Sequence, residues 1–467
     1  RVAVLHQELG VRNLEDLRQA VEAGKVRELR GFGPKSEEKI KKRLEEAAAK
    51  PGRISLFVAE KVAAAFLDYL KAGEGIGMVA PAGSFRRRKE TVGDLDVLVT
   101  CEEGAPVMDR VVDYDEVVRV VAKGTTKTTV VLRTGLHVDV RLIPEESWGA
   151  ALHYFTGSKA HNIEIRGMGV KKGLKINEYG IFKGKKRVGG GTEEEVYDAV
   201  GLPFIEPELR ESRGEVEAAK EKRLPKLITL EDIRGDLHSH TTVTDGRNTM
   251  EEMVEAARER GYSYLAITNH SKRVTMAKGL DEKGLAKEVE RIRKLDSKLR
   301  GFRVLAGIEV DILEDGSLDL SDEALADLDF TVCSVHYNRN LTAAKMTSRI
   351  LKAMDNPHFN ILGHPTGRLI NEREGYAVDL EAVITGAAER GCIVELNSHP
   401  DRLDIDDVHC KLAKEVGALV AVNTDAHSTS DLSFMRLGIG QARRGWLEPE
   451  NVVNTRKTRD LLRAFRR

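Results

Sequence analysis

The chain has 467 residues and a formal net charge of −1, with 41% hydrophobic and 32% charged residues. This length predicts about three domains, and the near-neutral charge excludes a global basic field, so that any contact with nucleic acid must be local. No apolar run approaches the ~20 residues of a membrane span, no signal peptide is recognisable, and the 4 cysteines form no CxxC pair, which together predict a cytoplasmic protein without membrane attachment.

Residues 1–52 are predicted to form short helices around a glycine-containing turn. Three apolar residues recur at helical spacing in the first helix: Leu14, Leu17 and Val21. A second amphipathic helix is predicted at roughly 35–49. Gly31 and Gly33 would let the backbone approach a DNA phosphate, and the helix N-terminus after them attracts anions. The turn resembles a helix-hairpin-helix element, with Gly31, Gly33 and Lys35 as DNA contacts, and a plain turn between helices is the alternative.

Residues 53–204 are predicted to be α+β. A helix at about 57–71 precedes apolar strand-like runs, which lie at 78–80, 97–99, 129–132 and 138–140. Glycine-punctuated strands follow near 174–176 and 181–182. A helix then begins after Thr192, whose sequence Thr-Glu-Glu-Glu is typical of a capping box. The charged residues 211–233 are predicted to be a linker.

After Gly235, short apolar strands alternate with helices of about 12–18 residues. Repeated βα units of this kind build a parallel sheet or barrel. The predicted strands lie at 264–267, 304–306, 330–332, 361–363, 393–396 and 419–422. Polar residues follow almost every one of them directly. We therefore expect these side chains to meet at one end of the fold, where the loops converge.

Three aspartates in the first half have the spacing of a phosphoryl-transfer site. Asp94 and Asp96 are two residues apart on a predicted strand, so both point to the same face, and Asp139 supplies a third carboxylate from another strand. Such a set suits two magnesium ions. Gly83 and Ser84 precede it in a turn that could hold a phosphate. A solvated strand end is the alternative reading of Asp-x-Asp alone.

Nine imidazoles and carboxylates are scattered through the C-terminal half: His238, His240, Asp245, His270, Glu309, His336, His364, Asp425 and His427. Imidazole and carboxylate without thiolate suit Zn²⁺, Mn²⁺ or Fe²⁺ better than Mg²⁺. At about four protein ligands per ion, with sharing, the set fits two or three ions. The alternatives are coincidence for His-x-His alone and a structural cluster for the whole set. His399 and Asp401 would either contact substrate or belong to a solvated loop.

The segments 83–99, 138–143, 154–158 and 176–181 resemble, in this order, family X DNA polymerases such as DNA polymerase beta. The resemblance implies that Asp94, Asp96 and Asp139 are catalytic ligands of Mg²⁺ or Mn²⁺. It implies that a deoxynucleoside triphosphate is bound by seven residues: Gly83, Ser84, Arg87, Tyr154, Phe155, Gly157 and Asn162. Arg166 would face the template DNA. An ordinary buried aromatic pair is the alternative for Tyr154 and Phe155.

Three basic residues depart from the pattern of the eukaryotic members of this family. Arg88 and Lys89 stand where those members have small residues, and Lys159 stands where they have an aspartate. All three changes are expected to add positive charge near the nucleotide.

Residues 234 to about 450 resemble the polymerase and histidinol phosphatase (PHP) domain, a distorted (β/α)7 barrel. The resemblance implies three ions with shared ligands. The first would be held by His238, His240, Glu309 and Asp425, the second by Asp245, His270 and His427, and the third by Glu309, His336 and His364. The implied domains are a helix-hairpin-helix fingers domain at 1–52, a nucleotidyltransferase palm at 53–150, a thumb at 151–210, the linker at 211–233 and the PHP domain at 234–467.

The leading prediction is a DNA polymerase that fills short gaps in base excision repair and also carries a 3′→5′ exonuclease, with abasic-site endonuclease or 3′-phosphodiesterase activity as further candidates for the same site. Its partners would be gapped or primer-template DNA and deoxynucleoside triphosphates, and we expect a monomer associated with the nucleoid. In one alternative, the second half is a phosphatase similar to histidinol phosphatase, joined to a DNA-binding module. In another, the first half is an idle scaffold that recruits the nuclease, although three unneutralised carboxylates at one place would be costly.

Overall fold

The computed structural model describes residues 5, 8–9, 11, 14–29, 31–34, 36–41, 52–102 and 106–466. Lys35, a predicted DNA contact, lies outside the described residues, as does most of the helix predicted at 35–49, of which residues 36–41 are helical. None of the helices within the described ranges combines the length and the hydrophobicity that a membrane crossing requires.

The helices are α1 Leu14–Glu22, α2 Leu56–Lys71, α3 Gly83–Arg86, α4 Val107–Val112, α5 Trp148–Thr156, α6 Lys159–Lys171, α7 Glu193–Val200, α8 Glu215–Lys220, α9 Met250–Glu259, α10 Glu282–Asp296, α11 Asp322–Leu325, α12 Ala343–Ala353, α13 Leu380–Arg390, α14 Asp407–Val416, α15 Met435–Arg444 and α16 Thr458–Ala464. Short 3-10 turns include Val26–Glu28, Pro207–Leu209 and Asp431–Phe434.

The strands are β1 Ile54–Ser55, β2 Ile76–Pro81, β3 Thr91–Val92, β4 Asp94–Cys101, β5 Val117–Lys123, β6 Lys127–Leu132, β7 His137–Leu142, β8 Lys175–Asn177, β9 Gly180–Lys183, β10 Lys186–Gly189, β11 Gly235–Asp236, β12 Tyr264–Ile267, β13 Arg303–Ala306, β14 Glu309–Asp311, β15 Val332–Ser334, β16 Ile361–Leu362, β17 Ile393–Asn397 and β18 Val420–Asn423.

The first half contains a five-stranded sheet of order β2-β4-β7-β6-β5. Its central pair, β4 and β7, is parallel, and the other neighbours are antiparallel. Along β4, Leu95, Val97 and Val99 face one side and pack with Phe66 and Leu70 of α2. Side chains alternate across a strand, so Asp94 and Asp96 face the opposite side. The sequence analysis missed β5, whose side chains are mostly exposed and lack an alternating pattern.

The prediction of a linker at 211–233 is wrong. Val216 of α8 and Leu227 are buried in the core formed by α6, α7 and the small sheet β10-β9-β8. Glu215 is buried as well, and its Oε1 lies 2.7 Å from Nδ1 of His161. Charged neighbours conceal this apolar face in the sequence. The helix predicted after Thr192 is present as α7, and the Thr192 hydroxyl accepts a hydrogen bond from the backbone N–H of Glu195.

The C-terminal half is built from parallel strands and helices in alternation. Its strands form two parallel sheets, β11-β12-β13 and β14-β15-β16-β17-β18. Isolated bridges join Ser239 to Ala426 and His270 to Glu309 at the junctions between the two sheets. The mixed α/β class of the prediction is therefore correct, whereas the ladders of the described strands do not form one closed barrel.

The two halves pack directly against each other. Leu403 and Leu437 of the C-terminal half belong to the core under the five-stranded sheet. Arg368 forms an ion pair with Glu90 at 2.6 Å. The ring centroids of Phe57 and Phe434 lie 5.3 Å apart in a T-shaped arrangement. Apolar burial and charge pairing therefore both hold the halves together.

Candidate active sites

The three predicted aspartates lie together at one face of the β4–β7 pair. In the parallel register Asp96 is opposite Asp139, and Asp94 is two residues before Asp96 on the same face. Oδ1 of Asp139 accepts a hydrogen bond from the Thr129 hydroxyl at 2.5 Å, and its Oδ2 lies 2.7 Å from Nζ of Lys127. The neighbouring strand β6 therefore orients the third carboxylate.

Gly83 allows the turn before α3 to approach Asp96. Its φ is +60°, a conformation that costs little only for glycine, and a Cβ at this position would lie 2.5 Å from Oδ2 of Asp96. Ser84 follows in α3, and its buried Oγ has no hydrogen-bond partner among the described residues. The turn thus places an unsatisfied hydroxyl next to the carboxylates.

The carboxylates of Asp94, Asp96 and Asp139 lie close enough to repel one another when no cation is bound. Burial and the neighbouring charges of Asp94 and Asp139 raise the pKa of Asp96 to about 6. Burial also acts on Asp139, but the hydrogen bonds from Lys127 and Thr129 outweigh it and hold the pKa of Asp139 below its usual value. Hard carboxylate oxygens with like charges in contact fit a divalent cation such as Mg²⁺.

A cavity of about 740 Å³ lies over the aspartates and gathers most of the predicted nucleotide and DNA contacts. Its predicted members are Gly83, Ser84, Arg87, Asp94, Asp96, Tyr154, Phe155, Gly157, Asn162 and Arg166. Tyr154 and Phe155 form a T-shaped pair with ring centroids 5.2 Å apart. Asn162 donates from Nδ2 to the carbonyl of Tyr154 at 2.7 Å. The aromatic pair is half-buried at the cavity wall, where a flat ligand could contact it.

The basic residues beside this cavity have different partners. Arg87 donates to the carbonyl of Thr156 at 2.6 Å and to Glu211 at 2.9 Å, which fixes its guanidinium at the cavity. Lys89 and Lys159 also line the cavity, as expected. The prediction for Arg88 is wrong, because its side chain pairs with Glu60 and reaches towards α15 instead of the cavity. It joins the two halves of the chain.

The predicted helix-hairpin-helix turn is partly described. Gly31 is exposed with φ of +86°, and the carbonyl of Gly33 accepts a hydrogen bond from the N–H of Ser36 at 2.8 Å. Between them Phe32 packs with Val26 in a small core. A tight turn with an exposed Gly31 and a partly buried Gly33 is therefore present, and its role in binding DNA stays a prediction.

In the C-terminal half, Glu309 lies at the centre of the predicted ligands. Its side chain is only 1% exposed, and its oxygens lie 2.8–3.6 Å from a nitrogen of each of five imidazoles. These belong to His238, His240, His270, His336 and His364. Strand ends from both parallel sheets supply them, which matches the expectation that the ligands converge at one end of the fold.

Two aspartates complete the cluster. Oδ2 of Asp245 lies 3.2 Å from His270 and 3.4 Å from His427, and Oδ1 of Asp425 lies 3.2 Å from His240. Three groups have ligand atoms close enough for one ion each: His240, Asp245, His270 and His427; His238, His240 and Asp425; His270, Glu309 and His336. The nine predicted ligands come together, although His240 and His270 are shared differently from the predicted sets.

The pKa values of the imidazoles indicate that the carboxylates of the cluster favour positive charge. Ring nitrogens of His238, His240 and His270 are buried beside carboxylate oxygens but make no hydrogen bond of suitable geometry among the described residues. Burial lowers the pKa of His240 to about 3, whereas Glu309 and Asp245 overcome burial and raise the pKa of His270 to about 10. Similar forces raise the pKa of His336 to about 9. The carboxylates thus keep protons on the neighbouring imidazoles, and divalent ions would replace these imidazole protons.

The sequence analysis missed the carboxylates behind the ligands. Oε1 of Glu395 lies 2.7 Å from Nδ1 of His238, and Oδ1 of Asp311 lies 3.2 Å from Nδ1 of His336. Such partners fix the orientation of a metal-ligating imidazole. The available signal was a charge between apolar residues, Glu395 within β17 and Asp311 between Val310 and Ile312 at the end of β14.

Two predicted ligands have a backbone conformation that L-residues rarely adopt. The φ of His364 is 26° and that of Asp425 is 53°. Strained non-glycine residues persist where the surrounding structure holds them and are concentrated at functional sites. His399 lies nearby with its ring edge-on to Phe434, and Asp401 is exposed.

Comparisons with known proteins agree with both halves. The model of the DNA polymerase beta thumb matches residues 151–211, and that of the PHP domain matches residues 236–399. These matches define a protein that combines a polymerase beta-like part with a PHP domain. The DNA polymerase/3′-5′ exonuclease PolX of Bacillus subtilis is 40% identical, over 99% of this chain and 81% of PolX. The chain therefore belongs to the PolX family, and the predicted family is confirmed.

Two further comparisons each cover slightly less than half of the chain. A probable phosphatase of Thermoanaerobacter sp. is 28% identical over 232 residues, which cover 47% of this chain and 89% of the phosphatase. The structure of Leishmania infantum polymerase beta in a ternary P/T complex is similar with a TM-score of 0.33 and 22% identity, over 45% of this chain and 92% of that chain.

Proposed function

We propose that this chain is a DNA polymerase that extends a primer 3′ end at Asp94, Asp96 and Asp139, and that it shortens 3′ ends at the histidine cluster. The observation that carries the proposal is the presence of two separate metal-compatible sites in one chain of the PolX family. The proposed substrates are gapped or primer-template DNA and deoxynucleoside triphosphates. Filling of short gaps during base excision repair would use both activities.

Each residue at the aspartate site has a task that its position supports. The Gly83–Ser84 turn would donate to phosphate oxygens, and Arg87, fixed by Thr156 and Glu211, would pair with the triphosphate. Tyr154 and Phe155 would border the sugar. Divalent ions held by the carboxylates, and by the histidine cluster, would supply positive charge for the phosphate oxygens as the bond breaks.

At the histidine cluster, the buried carboxylates keep the imidazoles oriented. Glu395 and Asp311 hold His238 and His336 by their Nδ1 atoms, so that each Nε2 points towards Glu309. Arg402 has its Nε 3.6 Å from Oδ2 of Asp425 and would meet the phosphate of a DNA end. We propose two or three Mn²⁺, Zn²⁺ or Fe²⁺ ions here and Mg²⁺ or Mn²⁺ at the aspartates.

The test uses a 5′-labelled primer annealed next to a short gap, with Mn²⁺, in the presence and in the absence of deoxynucleotides. The proposal expects extension when nucleotides are present and stepwise 3′ shortening when they are absent. Asp109→Asn is the matched control for Asp96→Asn, because Asp109 has an exposed side chain in the same half of the chain. This control should behave like the wild type. Failure to extend would contradict the polymerase assignment.

A second candidate for the C-terminal half is a small-molecule phosphatase. The similarity to a probable phosphatase over nearly the whole length of that protein favours it. Turnover of histidinol phosphate that exceeds turnover of single-stranded DNA would support this alternative. Extension without shortening in the gap assay would point in the same direction.

Several finer features belong to the same proposal. The exposed Gly31 turn supports a helix-hairpin-helix fingers domain at 1–52. Three core clusters, each formed mainly by one of these segments, support a palm at 53–150, a thumb from 151 and a PHP domain from 234. The bridges at Ser239–Ala426 and His270–Glu309 support a distorted (β/α)7 barrel. We further propose a monomer that works at the cytoplasmic nucleoid.

A further inference from the structure

The C-terminal half closes one side of the cavity over the aspartates. Asp407, Gln441 and Arg444 line this cavity together with Ser84 and Arg87. Gln441 and Arg444 lie on α15, and Asp407 is the first residue of α14. Residues of the half that carries the histidine cluster therefore border the cavity in which the triphosphate contacts meet.

Arg444 holds Arg87 in two ways. Its side chain is 3% exposed, and its Nη1 donates to the carbonyl of Arg87 at 2.7 Å and to Glu211 at 3.0 Å. Glu211 also accepts from Nε of Arg87 at 2.9 Å. Nη2 of Arg444 donates to Asp407 at 2.5 Å, so both terminal nitrogens of its guanidinium are engaged. A lysine carries a single nitrogen on a flexible stem and would not reproduce this planar arrangement of two donor nitrogens.

The charges of this cluster do not balance. Four basic side chains meet two carboxylates: Arg87, Lys89, Arg213 and Arg444 with Glu211 and Asp407. Two positive charges are therefore left without an anion inside the cluster. Burial, opposed by Glu211, lowers the pKa of Lys89, and the guanidiniums of Arg444 and Arg87 add to the lowering. An anionic ligand in the cavity would relieve this repulsion.

The side-chain amide of Gln441 is buried and its Nε2 is not hydrogen-bonded within the described part of the chain. Its side chain is 2% exposed, and its Nε2 has no hydrogen-bond partner in the part of the chain that the structure describes. Buried amides are nearly always partnered, because an unmade hydrogen bond costs about 1–3 kcal/mol. Gln441 lines the cavity together with Ser84, whose Oγ is also unsatisfied among the described residues.

Helix α15 packs closely against the first half of the chain. Leu437 packs into the core beneath the five-stranded sheet, and Arg436 pairs with Glu60 at 2.9 Å. A Cβ at Gly440 would lie 2.9 Å from Nε of Arg88, so the backbone of α15 meets the first half directly.

We propose that α15 completes the nucleoside triphosphate site of the polymerase, with Gln441 as a direct contact of the bound nucleotide and Arg444 as a positioning residue that acts through Arg87. This inference rests on the proposed polymerase function. It goes further, because the polymerase half would then depend on the C-terminal half for nucleotide affinity while each half keeps its own reaction. The ligand class is a nucleoside triphosphate, whose charge matches the unbalanced cluster.

The test is steady-state gap filling by the full chain with Gln441→Leu and Arg444→Lys. Both variants preserve much of the packing volume. The expected result is a KM for deoxynucleotide about tenfold higher, the loss of roughly one charge-assisted hydrogen bond, with little change in kcat. Shortening of single-stranded DNA should be unchanged, which would show that the C-terminal half is folded. A separate equilibrium measurement of deoxynucleotide binding to the protein on gapped DNA should show the same loss.

Arg443→Ala is the matched control, because Arg443 lies next to Arg444 on α15 but pairs with Glu208 at 2.7 Å outside the cavity. It should leave the KM for deoxynucleotide unchanged. A wild-type KM in both test variants would overturn the inference while the polymerase function stands. An equal rise in Arg443→Ala would overturn it too, by assigning the effect to docking of the halves. Absence of extension by the wild type would overturn both this inference and the proposed function.

Discussion

The two sites of this chain collect negative charge in opposite ways. The aspartate site takes its carboxylates from two adjacent parallel strands, and it stays open to a cavity of about 740 Å³. The histidine site takes ligands from many strand ends and buries them around Glu309. The first therefore depends on strand register and on one turn, whereas the second depends on the convergence of a whole α/β domain. Substitutions at the two sites should therefore impair the two activities separately.

Glu309→Gln should produce the largest separation of the two sites. Loss of the carboxylate at the centre of five imidazoles should lower 3′ shortening by about three orders of magnitude and reduce the metal content, because the ligands lose their shared anion. Gap filling should change little. Glu389→Gln, at an exposed side chain of the same half, is the control. Retention of shortening by Glu309→Gln would contradict the assigned centre of the site.

Gly83→Ala should give the reverse pattern at the aspartate site. The added Cβ would meet Asp96, and a displacement of about 1 Å at a reacting group costs on the order of 100-fold in rate. Gly184→Ala is a matched control, since Gly184 has a similar φ of +61° but a Cβ there meets nothing within 4 Å among the described residues. Extension rates of both variants check the claim. Equal losses would assign the effect to backbone strain alone.

Glu395→Gln should have a moderate effect confined to the histidine site. The amide keeps the shape of the side chain but removes the charge that orients His238, so metal affinity or shortening should fall by about 10–100-fold. Metal titrations followed by the shortening assay measure it. An unaltered metal affinity and rate would mean that Glu395 only fills space.

Metal binding should release protons at one site and few at the other. At pH 7.5 the raised pKa values of His238, His270 and His336 keep these imidazoles protonated in the metal-free protein, so loading should release several protons. Asp96, with a pKa of about 6, is already mostly ionised at this pH. Calorimetry in buffers of different ionisation enthalpy separates the two classes. Equal proton release per ion at both sites would contradict this comparison.

How much the sequence could predict follows the same division. Asp94 and Asp96 were readable because strand periodicity alone places them on one face, and Asp139 then needed only a neighbouring strand. Most of the histidine ligands were readable because they follow an apolar strand directly. The sharing of His240 and His270 between groups of metal ligands could not be predicted from the sequence, because it depends on distances between loops.

The errors of the sequence analysis have physical causes. Residues 211–233 were predicted to be a linker because charges surround Val216 and Leu227, whose burial depends on a distant core. Glu395 was missed because it lies within a continuous apolar strand. Arg88 donates to the carbonyl of Arg436, and Arg444 donates to Glu211, so both contacts cross between the two halves, over 348 and 233 residues of sequence. Contacts of this kind leave no local pattern.

The most direct test of two separate sites is one gapped-DNA assay that compares Asp96→Asn with His240→Gln. Extension is measured with deoxynucleotides and shortening without them, and His409→Gln serves as the histidine control because it pairs with Asp406 away from the cluster. We expect Asp96→Asn to lose extension and keep shortening, and His240→Gln to do the reverse. Loss of both activities in either folded variant would contradict the account.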